Sequence, residues 1–366
     1  MAEDETPIVT DQIEPAPAGG SLRAALARMP ALGIGVLAIG AILGTTIVAL
    51  TLLGSAADGN PTVSLTLTPP ARGPLETAAP GHTLSFVDSR AVGGNLVVDP
   101  ALIEDAAEGP LPVIARDGRM PMTAYAQAFD KNDKRPKIAA VITGLGVGAT
   151  ATDLALAKLP PQVTFAFAPF APDAQSYVDK ARGLGHEVLL AVPMEPFDFP
   201  ESDPGPHALL VGATAEENIK RLNWAMSRFT GYVGIANLLG GRFLGEAGAI
   251  EPVLTEATKR GLLFFDDGAS SRSLAVTGAR HANATIATGT LILDQVQTPA
   301  AIDSKLVQLE AQARQDGFAI GVASRYPVTI ARLSEWAAAA GTRGFQLVPL
   351  SALAARPPAS ASASTR

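Results

Sequence analysis

Apolar positions fall into two regimes along the chain. From residue 137 onward, short apolar runs alternate with helix-forming stretches, whereas before it one long apolar run stands between polar, proline-rich segments. The run Ile138–Ile142 stops at a glycine-studded turn, Gly144–Gly148, and helix formers follow from Thr152 to Lys158. Such a pattern reads as a buried strand, a tight turn and a helix. It recurs, and predicts strands at Ile138–Thr143, Val163–Ala168, Glu187–Val192, Tyr232–Asn237, Leu262–Asp266, Leu291–Asp294, Ala319–Ala323 and Gln346–Pro349. Thr214 and Glu217 have capping-box spacing and open a helix to about Phe229. Thr298-Pro299 sets a cap and an N1 proline before a helix to about Gln315. Strands alternating with helices predict an α/β domain over 137–354 with a parallel sheet, either closed as a barrel or open and doubly wound.

Ala31–Leu53 carries no charge. As a helix it reaches about 34 Å, enough for a hydrocarbon core of about 30 Å. Arg23 and Arg28 precede it and only Asp58 follows closely, so the positive-inside bias leaves residues 1–30, a polar disordered tail, in the cytoplasm. The expectation is a single-pass inner-membrane anchor with a periplasmic C-terminal domain. Ser55-Ala56-Ala57 offers the competing reading of a cleaved signal peptide. Residues 54–136 form a linker rich in Pro, Gly, Ala and Thr, in which Leu96–Phe129 is expected to lie extended on the domain. Residues 355–366 read as a disordered tail.

Composition narrows the chemistry. A net charge of −7 with no Lys/Arg-rich run argues against a nucleic-acid partner. The absence of cysteine excludes disulfides, thiolate zinc sites and Cys nucleophiles, and the four histidines leave little for a His-rich metal centre.

In either architecture, functional groups gather beyond the C-terminal ends of the strands. Those ends carry Thr143-Gly144, Pro169-Phe170, Glu195, Asn237, Asp266-Asp267, Asp294 and Ser324-Arg325. Polar residues there also serve as turn formers, as Asp267-Gly268 does well, but six on one rim predict a ligand site. A dinucleotide fold is rejected, because Gly144–Gly148 fits the fingerprint only loosely and the second strand ends in Pro169-Phe170, not in an acid. Ser270 or Ser271 lacks both a nucleophile elbow and a placed histidine. A metal held by Asp266, Asp267, Asp294 and a histidine is weak, because His186 precedes a strand and His207 lies in a loop.

With these residues in view, the chain resembles the divergent polysaccharide deacetylases from Lys137 to about Ala354. The resemblance rests on Gly185–Pro196 (GHEVLLAVPMEP), Asp203–Pro206, Gly231–Phe243, Arg260–Ser270, Leu291–Asp294, Ala319–Ile330 and Leu347–Leu353. It implies a NodB-like distorted (β/α) barrel, a place in envelope carbohydrate metabolism, and metal-assisted removal of N-acetyl groups. The departures matter as much. Where the family has Asp-Asp this chain has Thr143-Gly144; where it has His before Pro-Met-Glu there is Ala191; its Asn-Asn-His-Met-Gly run is Ala236–Gly240; its Gly-His-Pro is Ala323-Ser324-Arg325. The acid and all three histidines assignable to metal and proton transfer are absent together, and Thr, Leu and Ala replace neither zinc ligands nor a carboxylate base.

The expected function is a membrane-anchored protein of the cell envelope whose deacetylase-like domain, catalytically degenerate and without a cofactor, binds or modifies peptidoglycan or another polysaccharide. No catalytic residue is assigned, and Glu195, Asn237, Asp266, Asp294 and Arg325 are expected to contact the glycan. Arg325 suits a carboxylate through its planar fork, and Phe170 and Tyr326 can stack on a pyranose face. The alternative is an active zinc-dependent N-deacetylase with relocated ligands such as Asp266 and Asp294. The anchor is tested by replacing Gly40 or Ala41 with Arg: insertion is expected to become less favourable by roughly 2.5–3.5 kcal/mol. Reporters fused at Ala57 and Ala355 are expected to be active only in a periplasm-reporting format, and a cytoplasmic signal from either contradicts the topology.

Overall fold

The computed structural model describes residues 98–358, so the anchor and tails expected at 1–53, the linker to residue 97 and residues 359–366 lie outside the described residues. Among the described residues, no helix is long and apolar enough to cross a membrane. Nine strands share one parallel sheet. They are β3 (Lys137–Leu145), β4 (Thr164–Phe167), β5 (Val188–Met194), β6 (Gly234–Leu239), β7 (Leu263–Asp266), β8 (Ile286–Thr288), β9 (Leu291–Ile292), β10 (Phe318–Ser324) and β11 (Gln346–Leu347), in the order β8-β7-β6-β5-β4-β3-β10-β9, with β11 beside the start of β3. An antiparallel hairpin, β1 (Ile103–Ala106) and β2 (Gly109–Pro112), precedes them. Helices α1 (Ala149–Lys158), α2 (Ala174–Gly183), α3 (Ala215–Met226), α4 (Ala247–Lys259), α5 (Ala275–His281), α6 (Pro299–Asp316) and α7 (Pro327–Ala340) fill the crossovers.

One link fixes the curvature. β8 and β9 end the ladder on opposite sides, yet only Gly289-Thr290 separates them in sequence. Laid flat, the seven interstrand steps would span about 34 Å, whereas the three Cα steps from Thr288 to Leu291 reach at most about 11 Å. The sheet therefore curls until its edges meet. Gly289 N donates to Asp266 O (2.8 Å) on one edge, and Thr290 N donates to Ile320 O (2.8 Å) on the other. Thr290 Oγ1 accepts from Ile320 N at 2.8 Å. The closure leaves no room for side chains: a Cβ on Gly268 would stand 2.2 Å from Gly289 O, and one on Gly289 would stand 2.2 Å from Asp267 O. The result is a curled parallel half-barrel, consistent with the NodB-like barrel and not with an open, doubly wound sheet.

Alternation along each strand sorts the core into two layers. Ile138, Ala140 and Ile142 of β3, with Phe165, Phe167, Leu190 and Phe264, face the helices. Ala139, Val141, Ala166, Ala191, Ala236 and Ala287 belong to a second cluster inside the curl, where the prevalence of alanine suits a narrow interior. All eight expected strands form, with shifted ends. The expected strand Leu291–Asp294 keeps ladder pairs only at Leu291 and Ile292; Leu293 N still donates to Val322 O (2.8 Å), and Asp294 meets β10 through its side chain, whose Oδ2 accepts from Ser324 N. The helix expected to reach Phe229 stops at Met226, where the Ser227 hydroxyl donates to Trp224 O (2.8 Å).

The N-terminal ends of the strands are plugged. Leu102, Ala115 and Tyr125 pack into the interior cluster together with Val348 and Leu350. Arg260 bolts the hairpin in place, its Nη1 donating to Glu104 Oε1 (2.7 Å) and Pro112 O (3.0 Å) and its Nε to Glu256 Oε1 (2.6 Å). Glu187 does the same for the chain ends of the domain: its buried carboxylate accepts from Ser351 N (3.0 Å), Thr164 Oγ1 and, at 3.5 Å, Gln127 N. Among the described residues, the opposite end of the curl, at the strand C-termini, opens into a cavity.

Burial pushes the Glu187 carboxyl up, against the lowering effect of its donors. An acid whose folded pKa is raised contributes stability that is present below its unfolded value and is lost as pH rises through the folded value. Thermal melting across pH is therefore expected to show a decline above the ordinary carboxylate range, which the isosteric Glu187→Gln flattens. An unchanged pH profile in that variant would contradict the assignment.

Candidate functional site

The open end holds a cavity of about 540 Å³ whose polar lining includes Thr143, Asn237, Asp267, Asp294, Ser324 and Arg325. At its mouth stand three exposed apolar side chains, Phe197 (56%), Leu239 (47%) and Tyr326 (41%). Phe197 lies against the backbone of Gly241, where a Cβ would stand 2.8 Å from its ring, and the Arg272 guanidinium sits 5.5 Å from its centroid.

Asn237 is buried and acts as a clamp. Its Oδ1 accepts from Asp267 N (2.9 Å) and its Nδ2 donates to Leu239 O (2.7 Å). This joins β6 to the turn after β7 and holds Leu239 at φ 61°, a left-handed conformation unusual for a leucine. The clamp thus presents an apolar side chain at the mouth. Asp294 is also buried. Its Oδ2 accepts from Ser324 N (2.8 Å) and Thr329 Oγ1 (2.9 Å), and among the described residues its Oδ1 has no partner. Asp267 uses one oxygen on Ala269 N (2.9 Å), and burial pushes its carboxyl up.

Arg325 makes no hydrogen bond or ion pair among the described residues. Its Nη1 is 3.1 Å from where a Cβ on Gly144 would stand, and its Nε is 3.9 Å from one on Gly148. The guanidinium therefore lies over the glycine turn that ends β3.

Glu195 and Asp266 do not line the cavity. Glu195 accepts from Arg242 Nη1 and from Val211 N, both at 2.6 Å, and so pins two loops. Asp266 accepts from Gly268 N (2.9 Å) and Ser273 Oγ (2.6 Å) and so fixes the turn after β7. The structure thus brings Asn237, Asp294 and Arg325 together and places Glu195 and Asp266 outside the lining. Tyr326 lines the cavity, whereas Phe170 packs on Trp224 (5.6 Å between centroids) and Gly205. The mouth residues Phe197 and Leu239 were not among the candidates from sequence; Gly240-Gly241 after Leu239 was the signal that the backbone there is unusual.

The family model for divergent polysaccharide deacetylases matches residues 140–354. The chain belongs to the divergent polysaccharide deacetylase family. Its relatives include an uncharacterized protein of Haemophilus influenzae, 25% identical over 54% of this chain and 69% of that one. The uncharacterized protein YibQ of Escherichia coli is 25% identical over 54% of this chain, and the match spans 61% of YibQ. A crystal structure of an uncharacterized protein from Agrobacterium tumefaciens C58 is 44% identical, superposes with a TM-score of 0.66, and covers 67% of this chain and 99% of that one.

The donor groups do not fit the zinc that the deacetylase reaction implies. Both oxygens of Asp266 are engaged by protein donors, and one of Asp294's is engaged twice. No described histidine lines the cavity. His186 stacks on Phe165 (3.9 Å) with Nδ1 2.9 Å from Val163 O, and burial pushes it down to about 4. His207 stacks on Trp224 at 3.6 Å, and His281 lies beside Glu251 at 2.7 Å. Among the described residues no three His, Cys, Asp or Glu side chains are grouped to hold a metal ion. Ser270 borders the cavity but has only Gly241 O for company, at 3.4 Å.

The division between cavity and underpinning is testable. Asp266→Ala removes the acceptor of two donors and is expected to cost about 1–3 kcal/mol of stability, read as a lowered denaturation midpoint. Arg325→Gln, which breaks no bond in the structure, is expected to leave the midpoint unchanged. The reverse ranking would contradict the geometry.

Proposed function

We propose that the domain binds a cell-envelope glycan in this cavity and does not deacetylate it. In this reading the chain is held at the inner membrane by residues 31–53, with the domain in the periplasm. The observation that carries the proposal is the pairing of unused polar groups with an apolar mouth. Among the described residues, Asp294 Oδ1 and the Arg325 guanidinium have no hydrogen-bond partner, in a cavity bordered by Phe197, Leu239 and Tyr326. Sugars present hydroxyls to carboxylate acceptors and C–H faces to aromatic rings, so this mixture suits them.

The chain's own residues supply binding and orientation. Asn237 holds the mouth in shape, Asp294 and Asp267 accept hydroxyl protons, and Arg325 donates. No described histidine stands in the lining, and Thr143-Gly144 stand where the resemblance implies the Asp-Asp pair that amide hydrolysis in this family calls for. A zinc enzyme with ligands relocated to Asp266 and Asp294 fits less well, because freeing Asp266 would break the turn that it holds.

The test uses the full-length chain with N-acetylated oligosaccharides from peptidoglycan and from other envelope polysaccharides. Binding is expected by calorimetry, with no acetate released in added zinc or cobalt. Asp294→Asn keeps an acceptor for Ser324 N and Thr329 Oγ1 but turns the unpartnered oxygen into an amide NH2. Binding is expected to weaken about tenfold, equivalent to roughly 1.4 kcal/mol, with melting unchanged. Metal-dependent acetate release would overturn the proposal.

A further inference from the structure

The cavity's charges are divided by position. The acids come from one sector: Asp267 after β7, Asp294 after β9, and Asp198 in the loop after β5. The donors come from another, the paired ends of β3 and β10. Thr143 and Ser324 are direct neighbours in that ladder, and Arg325 follows at once. Thr143 Oγ1 makes only a 3.4 Å contact with Ala323 O, and no hydrogen bond of the Ser324 hydroxyl occurs among the described residues. Three side chains that can donate thus converge at this ladder's end, with the Asp294 carboxylate held to one side of it by Ser324 N (2.8 Å).

The position of Arg325 depends on its surroundings. Gly144 has φ 75°, and even a methyl group there would stand 3.1 Å from Nη1. Any larger side chain at 144 would displace the guanidinium. The absence of an acid at that position does two things together: it removes a negative charge and it makes room for a positive one. A half-buried guanidinium with no counter-ion in a cavity is uncommon, since arginine in such places is ordinarily paired with a carboxylate or phosphate.

We infer that the β3–β10 sector of the cavity is the seat of a carboxylate, so that the glycan recognised is an acidic one, bearing a hexuronic acid or a lactyl ether group. The inference rests on the reading that the cavity binds a glycan. The carboxylate lies against the guanidinium in two-pronged fashion, with the Thr143 and Ser324 hydroxyls within the same sector. The neighbouring hydroxyls of the sugar face Asp294 and Asp267.

The test pairs probes that differ only in the carboxylate. Full-length protein is titrated with a β-1,4-linked tetraglucuronate and with cellotetraose, and separately with disaccharides containing N-acetylmuramic acid and with their N-acetylglucosamine counterparts. At least one acidic probe is expected to bind about tenfold or more tightly than its neutral twin, and which pair shows the preference tells uronate from lactyl ether. Arg325→Gln is expected to abolish that preference and Arg325→Lys to retain part of it, with melting temperatures equal to that of the parent. Raising the salt concentration is expected to weaken acidic binding alone. Equal binding of acidic and neutral probes, unaffected by Arg325→Gln, would overturn the carboxylate seat while leaving glycan binding intact. Failure of every probe to bind would overturn both.

Discussion

The structure depends on one short constraint, the two residues Gly289-Thr290 that join opposite edges of an otherwise open parallel ladder. Because the link reaches only about a third of the flat sheet's width, the strands must curl and their C-terminal ends must converge. Gly268 and Gly289 make that closure sterically possible by letting two backbones meet without side chains. The narrow curl in turn demands small residues inside it, which the alanines of β3 to β8 provide. The cavity is a consequence of this closure, being the space left at one end when Leu102, Ala115, Tyr125, Val348 and Leu350 fill the other.

Within that space, the residues differ from those that the family resemblance implies. The positions at which the resemblance implies an acid and histidines carry Thr143-Gly144, Ala191, Leu238 and Ser324, and the polar groups that remain are engaged by the protein. Asn237 spends its amide on two backbone groups, and Asp266 and Glu195 spend both oxygens on loops. Loss of a side chain at Gly144 and the entry of the Arg325 guanidinium above it belong together sterically. In the proposed reading, the fixed positive charge at the end of β3 is the Arg325 guanidinium. A guanidinium orients an anion but does not activate water as a bound metal does, and the proposal of binding without hydrolysis rests on that difference.

Much of this was legible in the sequence. The alternation of apolar runs and helices located eight strands, and the convergence of strand ends located Asn237, Asp294 and Arg325. The short strand Ile286–Thr288 was not legible, because three residues carry too little pattern. Nor was the hairpin, since Gly109–Pro112 holds two prolines and is secured by Arg260, some 150 residues away in sequence. Glu195 illustrates the limit at the site. An acid after a strand can face the cavity or turn to its own loops, and its choice here is made by Val211 and Arg242, two segments that only the fold brings together. Asp266 was more readable in principle, because its acceptor role toward Gly268 N is a local turn two residues long.

The central claim is that a protein cation, not a metal, organises this cavity. A crystal structure of the full-length chain grown with an acidic oligosaccharide and excess zinc, with data collected on both sides of the zinc absorption edge, addresses it directly. The account predicts sugar density between Arg325 and Asp294 and no anomalous peak in the cavity. A zinc peak bound by Asp294 or Asp266, with Arg325 turned away from Gly144, would contradict it.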